Sequence, residues 1–512
     1  MRVSFVPGAS EEIGTSVALN TPRRRQRAAH SHKNHYRSIM GKGGERPPQK
    51  DEMVASEFAW SEVTKHRSPE DGWLMINNKI YDVSGWHDHP GGDVIFTSAG
   101  DDATDTFALF HAAGTSKHLA PFLIGKLKEE DRKKWSDERP KGEEQLEFEK
   151  GYRRLRLEMK NQGLFKSNFL FYVYKMGSTF LLAVLAAFLV GAFSENTAAH
   201  FAVRTAGAVL LGIFFQQCGW LCHEVCHHQV FQDRTLGRFI GYVWGNLAQG
   251  FSVGWWMNKH NTHHSVPNVH GDHDGAQNGD PDIDTMPLLA WSRSMLKKAT
   301  TPMAQWCVKH QAFTYFPLLS VARLSWLQQS IEYAFKPNKY SGRYIAGTDK
   351  LKPLPYENVE RASLVAHYAW YFAIAFSCPS VFDAVWFVAV SNVSCGLSLA
   401  LVFGLGHNGM AVYDAAHRPD YWKLQVTTTR NVKQDRFGFV HWFCGGLDYQ
   451  VEHHLFPTVP RHNLAATNKL VQKFCKEYGV TYHETTIWDG TVEVLNHLQK
   501  IATELHEEFP AM

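Results

Sequence analysis

The sequence predicts a small α+β domain followed by a mainly α-helical membrane domain, with about four transmembrane helices and a helical cap on the cytosolic side. Three observations carry that prediction. Residues 56–127 alternate short strand, turn and helix signals. Further on, paired apolar stretches are long enough to cross a bilayer as helices. Several of the 28 histidines of this 512-residue chain stand in adjacent pairs, at 227–228, 263–264 and 453–454, beside or after those stretches. A mean hydropathy of −0.30 looks soluble only because polar blocks are averaged with apolar spans. Fifty-three Lys and Arg against fifty Asp and Glu leave a formal charge of +3, so no bulk field argues for nucleic acid and none is expected as a partner. The eight cysteines show no paired spacing and read as reduced thiols. Cys218, Cys222 and Cys226 repeat every four residues, as small residues lining a membrane helix would.

In chain order, residues 1–50 contain PRRRQRAAHSHKNH without an apolar core of secretory length, and read as a disordered basic extension. Glu11 and Glu12 argue against a transit peptide, and Met40 offers an alternative start. Residues 51–130 hold WLMINNKIYDVSGW, HDHPGGDVIF and DDATDTFALFH. The two glycines after His89-Pro90 let the backbone turn tightly where a flat macrocycle must approach. His89 and His111, 22 residues apart, offer two imidazoles for the axial positions of a haem iron, which then moves electrons without binding O2. Tyr81-Asp82-Val83, His89-Pro90-Gly91-Gly92 and His111 together resemble cytochrome b5. That resemblance implies haem b held by His89 and His111, with His118 a rival second ligand at a poorer spacing.

A charged linker at 131–165 leads to the membrane domain at 166–490, and 491–512 form a C-terminal tail. Spans are expected near 176–193, 200–222, 362–376 and 381–403. Basic residues precede the first pair in YRRLRLEMKNQGLFK and follow the second at Arg418, Lys423, Arg430 and Lys433. The positive-inside rule therefore puts the ends of both hairpins, and both termini, in the cytosol. The aromatic stretches 239–256 and 303–335 read as interfacial.

Four histidine motifs fall on that same face: HEVCHH with His223, His227 and His228; HNTHH with His260, His263 and His264; GLGHNGM with His407; and QVEHH with Gln450, His453 and His454. Helical residues three and four apart share a side, so each motif can aim its imidazoles one way. Imidazole suits iron, zinc or copper, and this many ligands exceed one tetrahedral zinc site, so two metals are expected. His228 stands evenly between ligand and bystander, because His227 already completes the spacing from His223. His270, His273, His310 and His367 read as ordinary solvated or satisfied side chains.

Together HPGG, H-E-V-C-H-H, H-N-T-H-H, H-N-G-M and Q-V-E-H-H resemble a front-end fatty acyl desaturase, and the stretches FKSNFLFYVYK, NGDPDIDTMPLLAWS, KLQVTTTRNV and FCGGLDYQVEHHLFP resemble most of all its algal Δ6 members, although Δ5 and Δ8 relatives share the same boxes. The resemblance implies a cytochrome b5-like haem domain and a cytosolic di-iron cap. Its metal-holding and catalytic residues would be His223, His227, His260, His263, His264, His407, His453 and His454, with Gln450 where other membrane desaturases have the first histidine of their third box. Glu224 stands where relatives commonly have Asp, and is expected to orient a ligand rather than bind metal. The implied reaction places a cis double bond between an existing one and the carboxyl end of an unsaturated acyl chain, at Δ6 of 18-carbon substrates carried on CoA or phospholipid. O2 is the co-substrate, NADH-cytochrome b5 reductase the electron donor, and the endoplasmic reticulum membrane the setting. Physics agrees with redox chemistry, since unactivated methylenes offer acid–base side chains no acidic proton. Covalent fusion raises the local concentration of the haem domain, so a tight docking surface is not required. Lys259, Asn261 and Arg430 are candidates for holding the headgroup. Alternatives are a Δ5 or Δ8 front-end desaturase, a sphingoid-base desaturase, a lipid hydroxylase, or a non-enzymatic haem-binding membrane protein, which would need no clustered histidines.

Overall fold

The computed structural model describes residues 56–111, 114–131, 142–193, 195–271, 279–335 and 356–508. The expected basic extension, Met40 and His273 lie outside them.

The first domain is built on a sheet of β1 (Glu57–Phe58), β2 (Arg67–Ser68), β3 (Asp71–Ile76), β4 (Lys79–Asp82), β5 (Asp101–Asp102) and β6 (Leu123–Leu127), in the order β1-β6-β4-β3-β2 with β5 beside β3. Asn77 and Asn78, with φ of 52° and 62°, form the two-residue turn of the β3–β4 hairpin. Positive φ at both central residues matches the right-handed strand twist, and Asn tolerates it. Alternate residues of β3 serve two small cores: Leu74 and Ile76 pack with Tyr81, Val83, Phe96 and Leu119, whereas Met75 packs with Val63, Ile80 and Leu127. Helix α1 (Thr104–Phe110) then delivers His111 at its C-terminal end.

Among the described residues, three helices are long and apolar enough to cross a membrane: Phe169–Gly191, Ala198–Cys226 and Val381–His407. With α2 for Gly142–Asn161, they are α3, α4 and α8; α5 is Val253–Ser265, α6 Ala322–Phe335 and α7 Glu357–Phe376. The α3 face carrying Phe169, Leu170, Phe180, Leu181 and Phe188 is exposed, as a lipid-facing surface is. Gly212 of α4 lies where a Cβ would meet the Ser391 carbonyl at 2.7 Å, so α4 and α8 approach backbone to backbone. Arg204 of α4, alone in the sequence, is buried in an ion pair with Asp383 of α8 and donates to the Phe193 carbonyl at 2.6 Å.

The expected span near 362–376 does form a helix, α7, but not one apolar enough to rank with the other three. Glu357, Glu360, Arg361 and His367 occupy its first turns. At 20 residues it is nonetheless about 30 Å long, and because α4 and α8 both end beside the same cluster of histidines, α7 has to carry the chain back across the bundle between them.

Two segments expected to be peripheral are structural. Within the linker, α2 packs Phe148, Tyr152, Leu155 and Met159 against Phe456, Val459, Val471 and Phe474. The tail belongs to a helix, Ile487–Glu508, that follows α9 (Gln450–Leu455) and is α10 here. Its Val494, Leu498, Ile501 and Leu505 are buried against Ala290, Trp291, Met295 and Leu296. That spacing is the apolar stripe of an amphipathic helix, and each such side chain contributes about 1.5–3 kcal/mol over leaving it in water.

Candidate metal centres

In the first domain, Gly92 (φ 82°) closes the turn after His89, and its carbonyl accepts from His89 Nδ1 at 3.0 Å. The Phe107 carbonyl of α1 accepts from His111 Nδ1, also at 3.0 Å. With both Nδ1 atoms engaged, both Nε2 lone pairs are free to ligate, and the rings face each other with centroids 5.9 Å apart. Burial lowers the pKa of both, that of His89 to about 4, so both imidazoles are neutral at pH 7, as ligation requires. His118 is exposed in the turn that follows and does not join the pair.

The second centre draws on four helix ends. His223 and His227 come from the end of α4, His260, His263 and His264 from α5, His407 from the last residue of α8, and Gln450, His453 and His454 from α9. Ser252 starts α5 by accepting from Trp255 N, which fixes the register of its three histidines. Two groups result, all buried: His223, His227, His260, His264 and His453 in one, and His263, His407 and His454 in the other.

Within them, Nε2 atoms lie 2.9 Å apart for His227–His260, 3.0 Å for His260–His264, 3.1 Å for His264–His453 and 3.3 Å for His263–His407. A proton on one nitrogen would turn a single such contact into a hydrogen bond, but His260 and His264 each face two neighbours with one Nε2, as ligands around a shared cation do. Metal–nitrogen bonds of about 2.1 Å at right angles would set neighbouring ligand nitrogens about 3.0 Å apart, so the spacing fits metal ions. His223 Nε2, His454 Nε2 and Gln450 Oε1 are buried without hydrogen-bond partners, as inward-facing ligand atoms would be. Gln450 Nε2 sits 2.7 Å from His407 Nε2; a half-turn of the amide would bring the unpartnered oxygen to that place.

Burial holds His260, His264, His453 and His454 well below the usual imidazole range, neighbouring imidazoles add to it, and His227 falls to about 3. His263 behaves differently. Burial opposes its charge too, but the Asp280 carboxylate at 2.9 Å from Nδ1 raises it. The Gln425 side-chain oxygen accepts from His454 Nδ1 at 2.8 Å, and the Thr428 carbonyl from His407 Nδ1 at 3.1 Å. These partners point the Nε2 atoms inward.

The sequence did not single out Asp280, Gln425 or Thr428. Asp280 lies in NGDPDIDTMPLLAWS, but no spacing ties that run to His263.

Other expectations need correction or completion. His228 belongs to neither group: α4 ends at Cys226, and His228 turns left-handed at φ 60°. Glu224 is not a ligand; it forms a buried ion pair with Arg461 beside His223. Arg430 cannot hold a headgroup, because it is fully buried and donates to the Leu405, Asn408 and Gly490 carbonyls and to Glu493. Asn261 faces the first domain, donating to the Gly91 carbonyl at 3.5 Å, and Lys259 lies 3.8 Å from Asp282. His270, His310 and His367 are satisfied by Ser292, the Trp306 carbonyl and the Leu247 carbonyl respectively. Cys218, Cys222 and Cys226 pack within the bundle, away from the imidazoles.

A domain with a haem-type histidine pair, joined to an apolar helical bundle capped by two buried imidazole groups, defines a membrane-bound metal-dependent oxidoreductase. The comparisons with known proteins make this specific. Residues 199–486 match the fatty acid desaturase family, and residues 59–128 match the cytochrome b5-like heme/steroid binding domain. An acyl-lipid (9-3)-desaturase of Physcomitrium patens is 38% identical over 451 residues, covering 88% of this chain and 79% of that protein. A Delta(8)-fatty-acid desaturase of Euglena gracilis and a Delta(6)-fatty-acid desaturase of Caenorhabditis elegans are each 32% identical, over 86% of this chain and 97% of theirs. The chain belongs to the fatty acid desaturase family, as a front-end member with a fused cytochrome b5 domain. Its cofactors are haem in the first domain and two irons in the second, in an O2-dependent reaction.

Proposed function

We propose that this front-end desaturase inserts its double bond at carbon 6 of 18-carbon acyl chains already unsaturated at carbons 9 and 12. The observation that carries this is the 38% identity to the moss acyl-lipid (9-3)-desaturase over 88% of the chain; taken as a difference of positions, 9-3 is carbon 6. The same name favours a lipid-linked chain over a CoA thioester. The Euglena Delta(8) relative, as similar as the nematode Delta(6) one, supplies the second reading, a bond at carbon 8 of a longer chain.

In this proposal His223, His227, His260, His264 and His453 hold one iron, and His263, His407 and His454 with Gln450 hold the other. Iron with O2 supplies the oxidising power that removes two hydrogens from adjacent unactivated methylenes. Asp280 and Gln425 keep protons on Nδ1 of His263 and His454, so that the Nε2 lone pairs stay directed inward. Trp256, stacked on His260 with centroids 4.3 Å apart, and the buried Phe251 and Trp255 beside it keep water from that wall of the centre.

His89 and His111 hold haem b. An NADH-cytochrome b5 reductase reduces it, since two electrons are needed per double bond. The basic segments around the cap favour a cytosolic location for the cap and both termini, on the endoplasmic reticulum membrane.

Expression in yeast fed linoleic and α-linolenic acids and, separately, 20-carbon unsaturated acids, with double bonds located by mass spectrometry, tests the reading. New bonds at carbon 6 support it. Conversion only of 20-carbon acids at carbon 8 or 5 overturns it.

A further inference from the structure

The two ligand-bearing elements of the haem domain are both seated on the desaturase domain, and the seat of one is the helix that carries His260, His263 and His264. The turn His89-Pro90-Gly91-Gly92 lies against α5: Asn261 Nδ2 reaches the Gly91 carbonyl at 3.5 Å, and Asn258 Nδ2 lies 3.1 Å from where a Cβ on Gly92 would be. A Cβ at position 92 would press on the Asn258 amide, which would have to give by a few tenths of an ångström. Beside it, the hydroxyls of Thr97 and Ser265 meet at 2.6 Å, both buried, so water is excluded from this contact. Arg418 donates to the Thr97 carbonyl at 2.9 Å.

The other element, α1, is clamped from α2. Arg153 makes a two-pronged contact with Asp105 at 2.7 and 3.0 Å, and Arg156 donates to the Ala108 carbonyl at 2.8 Å. Arg234 donates to the Phe110 carbonyl at 3.2 Å, next to His111. Guanidinium groups on the last carbonyls of a helix also complement its dipole. Leu109 of α1 is buried in the same core as Tyr152, Trp422 and Phe456. A domain that worked only as a loosely tethered carrier would need none of these contacts.

We propose that the haem domain delivers electrons from this docked pose, and that Asn261 of α5, bridging to the Gly91 carbonyl, positions the His89 turn for transfer into the helix that holds three of the imidazoles. Each step oxidises one ferrous haem to ferric and reduces one ferric iron of the buried centre to ferrous. Two such steps, with two protons and one O2, account for one double bond and two waters, and a flavin reductase oxidising NADH re-reduces the haem between them. The proposal rests on the desaturase reading but not on the position of the double bond.

The test uses the full-length chain loaded with haem and iron in nanodiscs. Thr97→Cys with Ser265→Cys places two thiols where the hydroxyls touch, and none of the eight native cysteines is exposed to compete. Disulfide formation is read by mass spectrometry of the linked peptides, and electron delivery by stopped-flow reoxidation of ferrous haem. The proposal expects the disulfide to form and reoxidation to keep its rate. A disulfide that slows reoxidation by about tenfold or more, reversibly with reductant, would mean that transfer needs movement away from this pose. Failure to cross-link in a chain of normal haem and iron content also overturns the proposal.

If that pair disturbs folding, Asp105→Cys with Arg153→Cys, joined by a short bifunctional thiol reagent, locks the same pose from the other side with the same readouts. Asn261→Ala should leave the haem spectrum, the iron content and the KM for acyl substrate unchanged while slowing haem reoxidation several-fold. Unchanged reoxidation removes Asn261 from the route.

Discussion

The two metal centres are built on opposite principles. The haem pair takes its ligands from one small domain, and each imidazole is oriented by a backbone carbonyl within four residues of it: Gly92 for His89, Phe107 for His111. The polyhistidine centre gathers imidazoles from four helices up to 231 residues apart, His223 to His454, and orients several through groups distant in sequence, such as Asp280 and Gln425. A site oriented by its own turn survives if that turn folds. A site oriented from elsewhere fails when any one helix shifts. The most severe damage is therefore expected at the second centre, and the two should fail independently.

His264 is the sharpest place to break the comparison. It is fully buried, 3.0 Å from His260 and 3.1 Å from His453, and its ring stacks on His454 of the other group at 4.2 Å. His264→Ala should abolish product and lower bound iron while leaving the low-spin haem spectrum intact. His89→Ala should do the reverse, removing the haem spectrum and keeping about two non-haem irons per chain. Loss of both signals in either variant would show that the two centres share one folding unit.

The same contrast explains what could be read in the sequence. The HPGG turn, the histidine boxes and three of the four expected apolar spans are local patterns with periods set by the turn or the helix, and each forms within about two turns of the expected place, the first span starting at Phe169 rather than near 176. The partners of those residues are not local. Asp280 reaches His263 from 17 residues on, and Gln425 reaches His454 from another helix. Arg430 looked like a surface cation because its neighbours in sequence are polar. Its carbonyl partners arrive from α8 and α10 and bury it completely. The seating of the haem domain on α5 was illegible for the same reason: Thr97 and Ser265 are unremarkable until the fold makes them touch.

The next effect concerns orientation rather than ligation. Removing the carboxylate in Asp280→Ala frees His263 to rotate and leaves its Nδ1–H only the more distant Asp282 carboxylate, at 3.7 Å. Iron affinity and activity should fall about 10–100-fold, the usual scale for a partner behind a metal ligand. Asp280→Asn, which keeps an acceptor oxygen, should recover part of the loss. Equal damage from both would assign Asp280 to the fold, through its bond to Asn268 N.

Acid should separate the centres more gently. Burial holds His89 near pKa 4 in the folded chain, against about 6.5 when unfolded. The unfolded state therefore takes up protons first as pH falls. The contribution of this group to stability is full above about pH 6.5, declines between there and pH 4, and is gone below. His227, held at about 3, resists protonation to lower pH. Acid titration of the metal-free chain, followed by NMR of the imidazoles, should show His263 protonating first, because Asp280 raises it, and His89 and His227 only near pH 4 and pH 3.

The smallest effect is expected at His228, which the sequence left balanced between ligand and bystander. It immediately follows His227 yet belongs to neither group, and its φ of 60° lies where Asn, like His, is tolerated better than most side chains. His228→Asn keeps that backbone preference and removes the imidazole. Its Nδ1 is buried but has no hydrogen-bond partner to lose. Iron content and product yield should stay within about twofold of the parent, because no buried partner is orphaned, whereas His227→Asn, one residue away, should lose both. A His228→Asn chain that binds one iron rather than two would place His228 at the metal after all and make the left-handed turn part of the site.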